Sequence, residues 1–269
     1  MRRALLAAVL LSLVVVAPVA AALPNETVAG AIEVSVGTTV TEDTTQADET
    51  DPVETALNAF CGAPVVEHGV WFKITSATDD TVAFDTADSD YAAGIMLFEG
   101  TPTPEGLLNC GPEHIVQDLA AGVTYNLLVF GDGGSAATSG TLIFKVEQAV
   151  PAPDMSLTID PIGSVNREGV ARITGTVTCT SVDGSGTVFE LFGDVTQKVG
   201  RLLIRGFLFA FLDLPCDGST QPWEAFVVGD NGVFAGGKAA TVAFAFGCTD
   251  VCSEAFAEAT VQLRKGGSF

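Results

Sequence analysis

Gly169-Val170-Ala171-Arg172-Ile173-Thr174-Gly175-Thr176-Val177-Thr178-Cys179-Thr180 changes character at every second residue. Ala171, Ile173, Val177 and Cys179 fall on one side of an extended chain, and Arg172, Thr174, Thr176 and Thr178 fall on the other. Side chains of a strand point alternately to opposite faces, so this pattern predicts a strand with one face in a core and one in water. Runs of the same kind surround it: 155–160, Thr187–Phe192, Val199–Ile204, Phe207–Leu212, Trp223–Val228, Ala239–Phe246 and Ala257–Arg264. About seven short strands in about a hundred residues predict an antiparallel β-sandwich of Ig-like build.

The preceding residues read the same way. Strands are predicted at Ala31–Val36, Val70–Thr75, Thr81–Thr86, Gly94–Phe98, Val123–Phe130 and Thr141–Glu147, separated by Gly-, Pro- and Asp-rich turns. Stretches with apolar residues at helical spacing are nearly absent, so the fold class is all-β. The stretch Thr41–Asp51 is polar and acidic enough to read as a solvated loop with nothing to add to a core. Val150-Pro151-Ala152-Pro153-Asp154 holds two prolines between strand-like runs and is the expected linker, because proline fixes φ and removes backbone donors. The expected organisation is a leader over 1–22, a sandwich over 23–149, a linker over 150–154 and a second sandwich over 155–269.

The leader is read from Met1-Arg2-Arg3, an apolar run from Ala4 to Ala17, and small residues before Ala22, the pattern of a cleaved signal peptide. The alternative, an uncleaved anchor, is disfavoured by Pro18 and by the lack of a basic stop-transfer cluster. No Cys stands at the junction and the end at Phe269 carries no sorting signal, so a secreted, extracellular product is expected. The chain carries 12 Lys and Arg against 33 Asp and Glu, a net charge of −21 that grows once Arg2 and Arg3 are removed. Such a surface repels nucleic acid and anionic membranes, and neither is an expected partner. With 48% hydrophobic residues the chain is too apolar for disorder.

Six cysteines in an exported chain imply disulfides. Cys61 and Cys110 precede the linker and pair with each other if each domain closes its own bridges. Cys179, Cys216, Cys248 and Cys252 leave three arrangements, of which Cys179–Cys216 with Cys248–Cys252 is favoured. Cys248 and Cys252 are not spaced as Cys-x-x-Cys, and His68 and His114 lie in the other domain, so neither redox chemistry nor a metal is expected there.

Candidate chemistry is thin. His68 and His114 are the only bases of their kind, and no Gly-x-Ser-x-Gly elbow accompanies them, so no Ser hydrolase is expected. Paired carboxylates could in principle cleave glycosides, but with 33 acids composition nominates no pair. The densest oxygen cluster is Asp79, Asp80, Asp85, Asp88 and Asp90, the chain's one candidate Ca²⁺ site and only implied cofactor, although its spacing is not that of an EF-hand. Trp71, in an alternating strand, is expected in the core, while Trp223 stands where a loop enters a strand and is a candidate surface residue. The run Leu202–Leu212 is apolar on both pleat faces, interrupted by Arg205 and a turn-like Gly206. It is expected to form a hairpin covered by the opposite sheet and the first domain; otherwise Phe207, Phe209 and Phe211 form an exposed patch.

Val70-Trp71-Phe72-Lys73-Ile74, the turn Asp85–Tyr91, the strand Gly94–Gly100, Leu119–Tyr125 and Gly140-Thr141-Leu142, with Cys61 and Cys110 in place, occur in one order and spacing over about 25–148. That segment resembles the bacterial pre-peptidase C-terminal domain family. The resemblance implies a small jelly-roll-like sandwich that accompanies secreted enzymes and aids secretion, targeting or surface binding, an accessory module rather than a protease. Asn109-Cys110-Gly111-Pro112 departs from members that carry Asp after the Cys, which removes support for cation binding. The later segments Gly175–Cys179, Cys216–Trp223 and Phe234–Ala239 resemble a family of small secreted bacterial domains without a known activity, and the Ig-like build is loosely similar to the neocarzinostatin-type apoprotein carriers.

These readings converge on a non-catalytic binding or surface-interaction protein with an extracellular ligand or surface as partner. The alternative is a carrier of a small hydrophobic molecule on the Phe-rich sheet, and a third reading is an enzyme with an acid dyad.

Overall fold

A computed structural model describes residues 23–133 and 137–266; the leader over 1–22 lies outside the described residues. The chain is all-β, with strands arranged in sandwich fashion. In chain order the strands are β1 Ile32–Val34, β2 Thr38–Asp43, β3 Glu67–Thr75, β4 Asp80–Asp85, β5 Ala93–Glu99, β6 Leu107–Pro112, β7 His114–Leu119, β8 Thr124–Gly131 and β9 Thr141–Gln148. There follow β10 Asp154–Ile159, β11 Ile162–Val165, β12 Ala171–Thr180, β13 Thr187–Val199, β14 Leu202–Pro215, β15 Asp217–Val227, β16 Gly237–Cys248 and β17 Cys252–Lys265. Two compact units divide the chain: one carries residues up to Ala77 with Asp85–Ile115 and Gly122–Lys145, the other Thr78–Phe84, Val116–Ala121 and Val146 onward.

The first nine strands form a five-stranded sheet ordered β1-β3-β8-β5-β6 and a four-stranded sheet ordered β2-β9-β4-β7. β8 and β5 are buried along almost their whole length and β3 from Gly69 to Phe72, which is why they read as near-continuous apolar runs. Phe72 of β3 meets Phe144 of β9 at a ring-centroid distance of 4.7 Å. A second group, Leu57, Val66, Trp71, Met96, Phe98, Leu128 and Phe130, is buried on the other side, so Trp71 is a core residue as expected.

The polar stretch before residue 52 departs from the expected loop. Thr38–Asp43 is a strand, and Thr44 and Ala47 are buried, so the stretch does contribute to a core. Thr44 succeeds there because its hydroxyl and amide both bond Gly140 O and its Oγ1 accepts from Gly140 N, leaving no orphaned polar atom. A short helix, α1 (Pro52–Leu57), follows; Asp51 caps it by accepting from Val53 N at 2.6 Å, and Pro52 occupies its first position.

The last eight strands form one sheet ordered β10-β12-β11-β17-β16-β13-β14, with β15 on the other side of β12. Ile173, Trp223 and Val227 share a core with Leu191, Val195, Leu208, Ala243 and Val261. The alternation of Ala171–Thr180 is realised as read: Ala171, Ile173, Val177 and Cys179 are buried. The expected turn at Gly206 is a correction, because β14 runs unbroken through it. The hairpin closes instead at Gly200-Arg201, where Gly200 takes φ +61, a left-handed conformation open to glycine at little cost. Gly206 is required for closeness: a Cβ there would stand 2.5 Å from Val228 O.

Three cysteine pairs stand at disulfide distance, Cys61–Cys110, Cys179–Cys216 and Cys248–Cys252, with Cα separations of 5.9, 4.4 and 4.0 Å. No free cysteine is found among the described residues.

Candidate binding face

Four neighbouring strands, β14-β13-β16-β17, bring together phenylalanines scattered over the sequence. Phe209 is opposite Phe192, Phe192 opposite Phe244, and Phe244 opposite Phe256. All four sit on the face away from the core, since Leu191, Leu208, Ala243, Ala245 and Ala255 occupy the other phase of the pleat. Within the row, the rings of Phe192 and Phe244 have centroids 5.7 Å apart and those of Phe244 and Phe256 5.0 Å apart. Phe207 and Phe211 flank Phe209 at 6.2 and 4.7 Å, and Phe246 stacks on Phe192 at 5.3 Å.

The ends of the row and its neighbours on β14 are open to solvent, while Phe192 and Phe244 between them are half-buried. Phe207, Phe209, Phe211 and Phe256 are 55, 39, 82 and 54% exposed. The expected covering of Leu202–Leu212 by the opposite sheet is therefore corrected: alternation turns Ile204, Gly206 and Leu208 inward and leaves the phenylalanines on the outer face. Isolated exposed apolar residues are ordinary, but a contiguous aromatic patch on a sheet face is not. Phe207, Phe209 and Phe211 are candidates from the sequence; Phe192, Phe244, Phe246 and Phe256 are not. The alternations at Phe244-Ala245-Phe246 and Ala255-Phe256-Ala257 carried the signal for the outward face, but only cross-strand register aligns them.

Charge is interleaved with the rings. Two residues along β13 on either side of Phe192 stand Glu190 and Asp194, and two residues along β17 on either side of Phe256 stand Glu254 and Glu258. The registers place Glu190 opposite Phe211 and Phe246, and Asp194 opposite Phe207 and Val242.

The other candidates are placed differently. Trp223 is only 3% exposed; its indole packs where Gly175 leaves room and its Nε1 donates to Thr158 O at 3.1 Å, so it belongs to the core. The alternation of β15 turns Trp223, Ala225 and Val227 inward together.

The five acids of the candidate Ca²⁺ cluster are engaged separately. Asp79 accepts from Ala121 N at 2.8 Å, Asp80 from Thr78 Oγ1 at 2.8 Å, and Asp90 from Thr141 N at 2.8 Å. Asp85 meets His114 Nδ1 at 3.2 Å and Asp88 pairs with Lys145 at 2.5 Å. Among the described residues no three His, Cys, Asp or Glu side chains are grouped so as to hold a metal ion.

His68 Nδ1 lies 3.0 Å from Ala47 O. A strongly perturbed carboxyl is that of Glu54, buried beneath Trp71, whose Nε1 donates to Glu54 Oε1 at 2.7 Å. Burial pushes this carboxyl up to about 7; the indole hydrogen bond opposes the rise, and Asp51, Asp48 and Glu26 add to it.

No family model matches the sequence, and no curated protein matches it. Among solved structures, a putative β-galactosidase from Bacteroides fragilis is 14% identical with a TM-score of 0.24, covering 73% of this chain and 32% of that one. A GH2 β-galacturonidase from Eisenbergiella tayi is 11% identical with a TM-score of 0.21, covering 84% of this chain and 43% of its own. The chain thus spans less than half the length of these proteins, and superpositions this loose carry no argument about it. Among the described residues no helix is long and apolar enough to cross a membrane.

Proposed function

We propose that this chain is an extracellular, non-catalytic binding protein whose working surface is the outward face of β14-β13-β16-β17. The observation that carries the reading is the aligned row Phe209-Phe192-Phe244-Phe256, which keeps aromatic area in water on a sheet whose opposite face already supplies the core. Exposed aromatic area of this kind is gained back when a partner covers it, and aromatic residues contribute disproportionately at interfaces. The resemblance of 25–148 to a family of accessory modules agrees with a binding rather than a catalytic role, and disulfides agree with an oxidising extracellular site. A flat sheet face covers one side of a small molecule, whereas small-ligand sites are concave and enclose most of their ligand, so the carrier reading is the weaker one.

Nile red, a neutral apolar dye, tests the reading. The native chain should enhance its fluorescence in a saturable manner, and the Phe209→Ser/Phe256→Ser variant, its fold checked by far-ultraviolet circular dichroism, should lose most of that signal. Equal signal from both proteins would remove the face as the binding surface.

A further inference from the structure

The chemistry of the face narrows the partner. The phenylalanine row crosses four strands, a span of about 14 Å at about 4.8 Å per strand. Glu190 and Glu254 stand on one side of it and Asp194 and Glu258 on the other, each about 7 Å from the row along its strand. The stripe of rings is thus flanked on both long sides by carboxylates that alternate with apolar side chains, Phe211-Glu190-Phe246-Glu254 on one side and Phe207-Asp194-Val242-Glu258 on the other. Bases on this face begin only beyond that border, at Arg205 opposite Thr196, with Lys198 and Lys238 further along their strands.

From this we infer that the face receives a basic amphipathic helix of a partner protein, lying across the strands with its apolar stripe on the phenylalanine row and Lys or Arg side chains on both flanks. The inference rests on the binding reading above and adds the partner's chemistry. Dimensions agree: a helix with its side chains is about 10–12 Å across, close to the separation of the two acidic borders, and about three turns cover the row. Charge agrees as well, since a partner bearing bases on both sides of an apolar stripe meets four carboxylates and approaches a chain of net charge −21. A second copy of this chain is the poorer occupant, because stacking the face on itself sets Glu190, Asp194, Glu254 and Glu258 against their own kind.

The test uses the mature chain and two 14-residue helical peptides, one with a Leu stripe flanked by Lys and one with the same stripe flanked by Glu, titrated by calorimetry. The Lys peptide should bind at least tenfold more tightly than the Glu peptide, and Phe209→Ser/Phe256→Ser should abolish its binding. Glu254→Gln/Glu258→Gln should weaken it several-fold, whereas removing the same charge at the exposed Glu33 and Glu147, which are not part of the face, should leave it within twofold. Equal affinity for both peptides, or equal losses from the two Glu→Gln pairs, overturns the inference. If Nile red still reports on the phenylalanine row in that case, the binding reading stands and only the partner's chemistry fails; if it does not, both fail. A concentration-dependent dimer that Phe209→Ser dissolves would assign the face to a second copy and overturn the inference.

Discussion

Trp71 Nε1 donates a hydrogen bond of 2.7 Å to Glu54 Oε1, tying the only α-helix among the described residues to β3, the strand between β1 and β8 in the five-stranded sheet. Glu54 is 4% exposed, and a Cβ on Gly69 would stand 2.0 Å from its Oε2, so glycine at 69 is what admits the carboxyl. The folded chain raises this group from 4.5 to about 7. The sign follows: between those values the folded state holds a proton that the unfolded state releases, so stability falls as pH rises.

The first prediction is therefore a loss of stability between about pH 4.5 and 7, of up to about 3 kcal/mol, since each tenfold gain in proton affinity on folding corresponds to about 1.4 kcal/mol. Glu54→Gln should flatten that part of the profile. The check is the urea midpoint measured at intervals across this range. Asp43, Asp183 and Asp217 act in the opposite sense, because bonds from Thr45, Ser185 and Ser219 lower their carboxyls. Their contribution is present above about pH 4 and lost below it, which separates the two effects on the pH axis.

Gly175 lies against Trp223 in the core of the second unit, and a Cβ there would meet Thr158 O at 2.0 Å and the indole at 2.7 Å. Gly175→Ala should destabilise the chain by about 1–3 kcal/mol through overpacking, seen as a lower denaturant midpoint with an unchanged slope. A neutral result would mean that the Thr158 backbone and the Trp223 indole both give way readily.

The disulfides should differ in worth. Cys179–Cys216 closes a separation of 37 residues and Cys248–Cys252 one of 4. If restriction of the unfolded chain dominates, removing the first costs about 4 kcal/mol and the second about 2. Paired Cys→Ala variants compared by urea denaturation measure the difference.

Legibility in the sequence followed the distance over which each feature is decided. Strand alternation is local, so Ala171–Thr180 could be read with its inward and outward residues correctly sorted. The burial of Thr44, just after β2, and of Glu54 in α1 is hidden in the sequence because it comes from individual partners, Gly140 for Thr44 and Trp71 for Glu54, while Thr41–Asp51 has the composition of a solvated loop. Phe207, Phe209 and Phe211 are legible as a group because one strand carries them. Phe192, Phe244 and Phe256 join them only through the registers of β13, β16 and β17, which no local pattern encodes. Trp223 was ambiguous because its strand begins well before it, at Asp217, inside a stretch that reads as a turn.

Replacing exposed rings should also separate binding from folding. Phe209→Ser and Phe256→Ser remove partly solvated side chains and should each change stability by less than about 1 kcal/mol, far below the cost of Phe72→Ala or Phe144→Ala in the core. Thermal unfolding of the four single variants gives the comparison.

The most direct measurement is a titration of the folded chain, labelled with ¹³C in its phenylalanine rings, with 2-naphthol as a neutral aromatic probe. Ring signals of Phe209, Phe192, Phe244 and Phe256 should move together and saturate, while those of the buried Phe72, Phe84, Phe98 and Phe144 stay fixed. Movement confined to other rings, or none at all, would contradict the assignment of the sheet face as the binding surface.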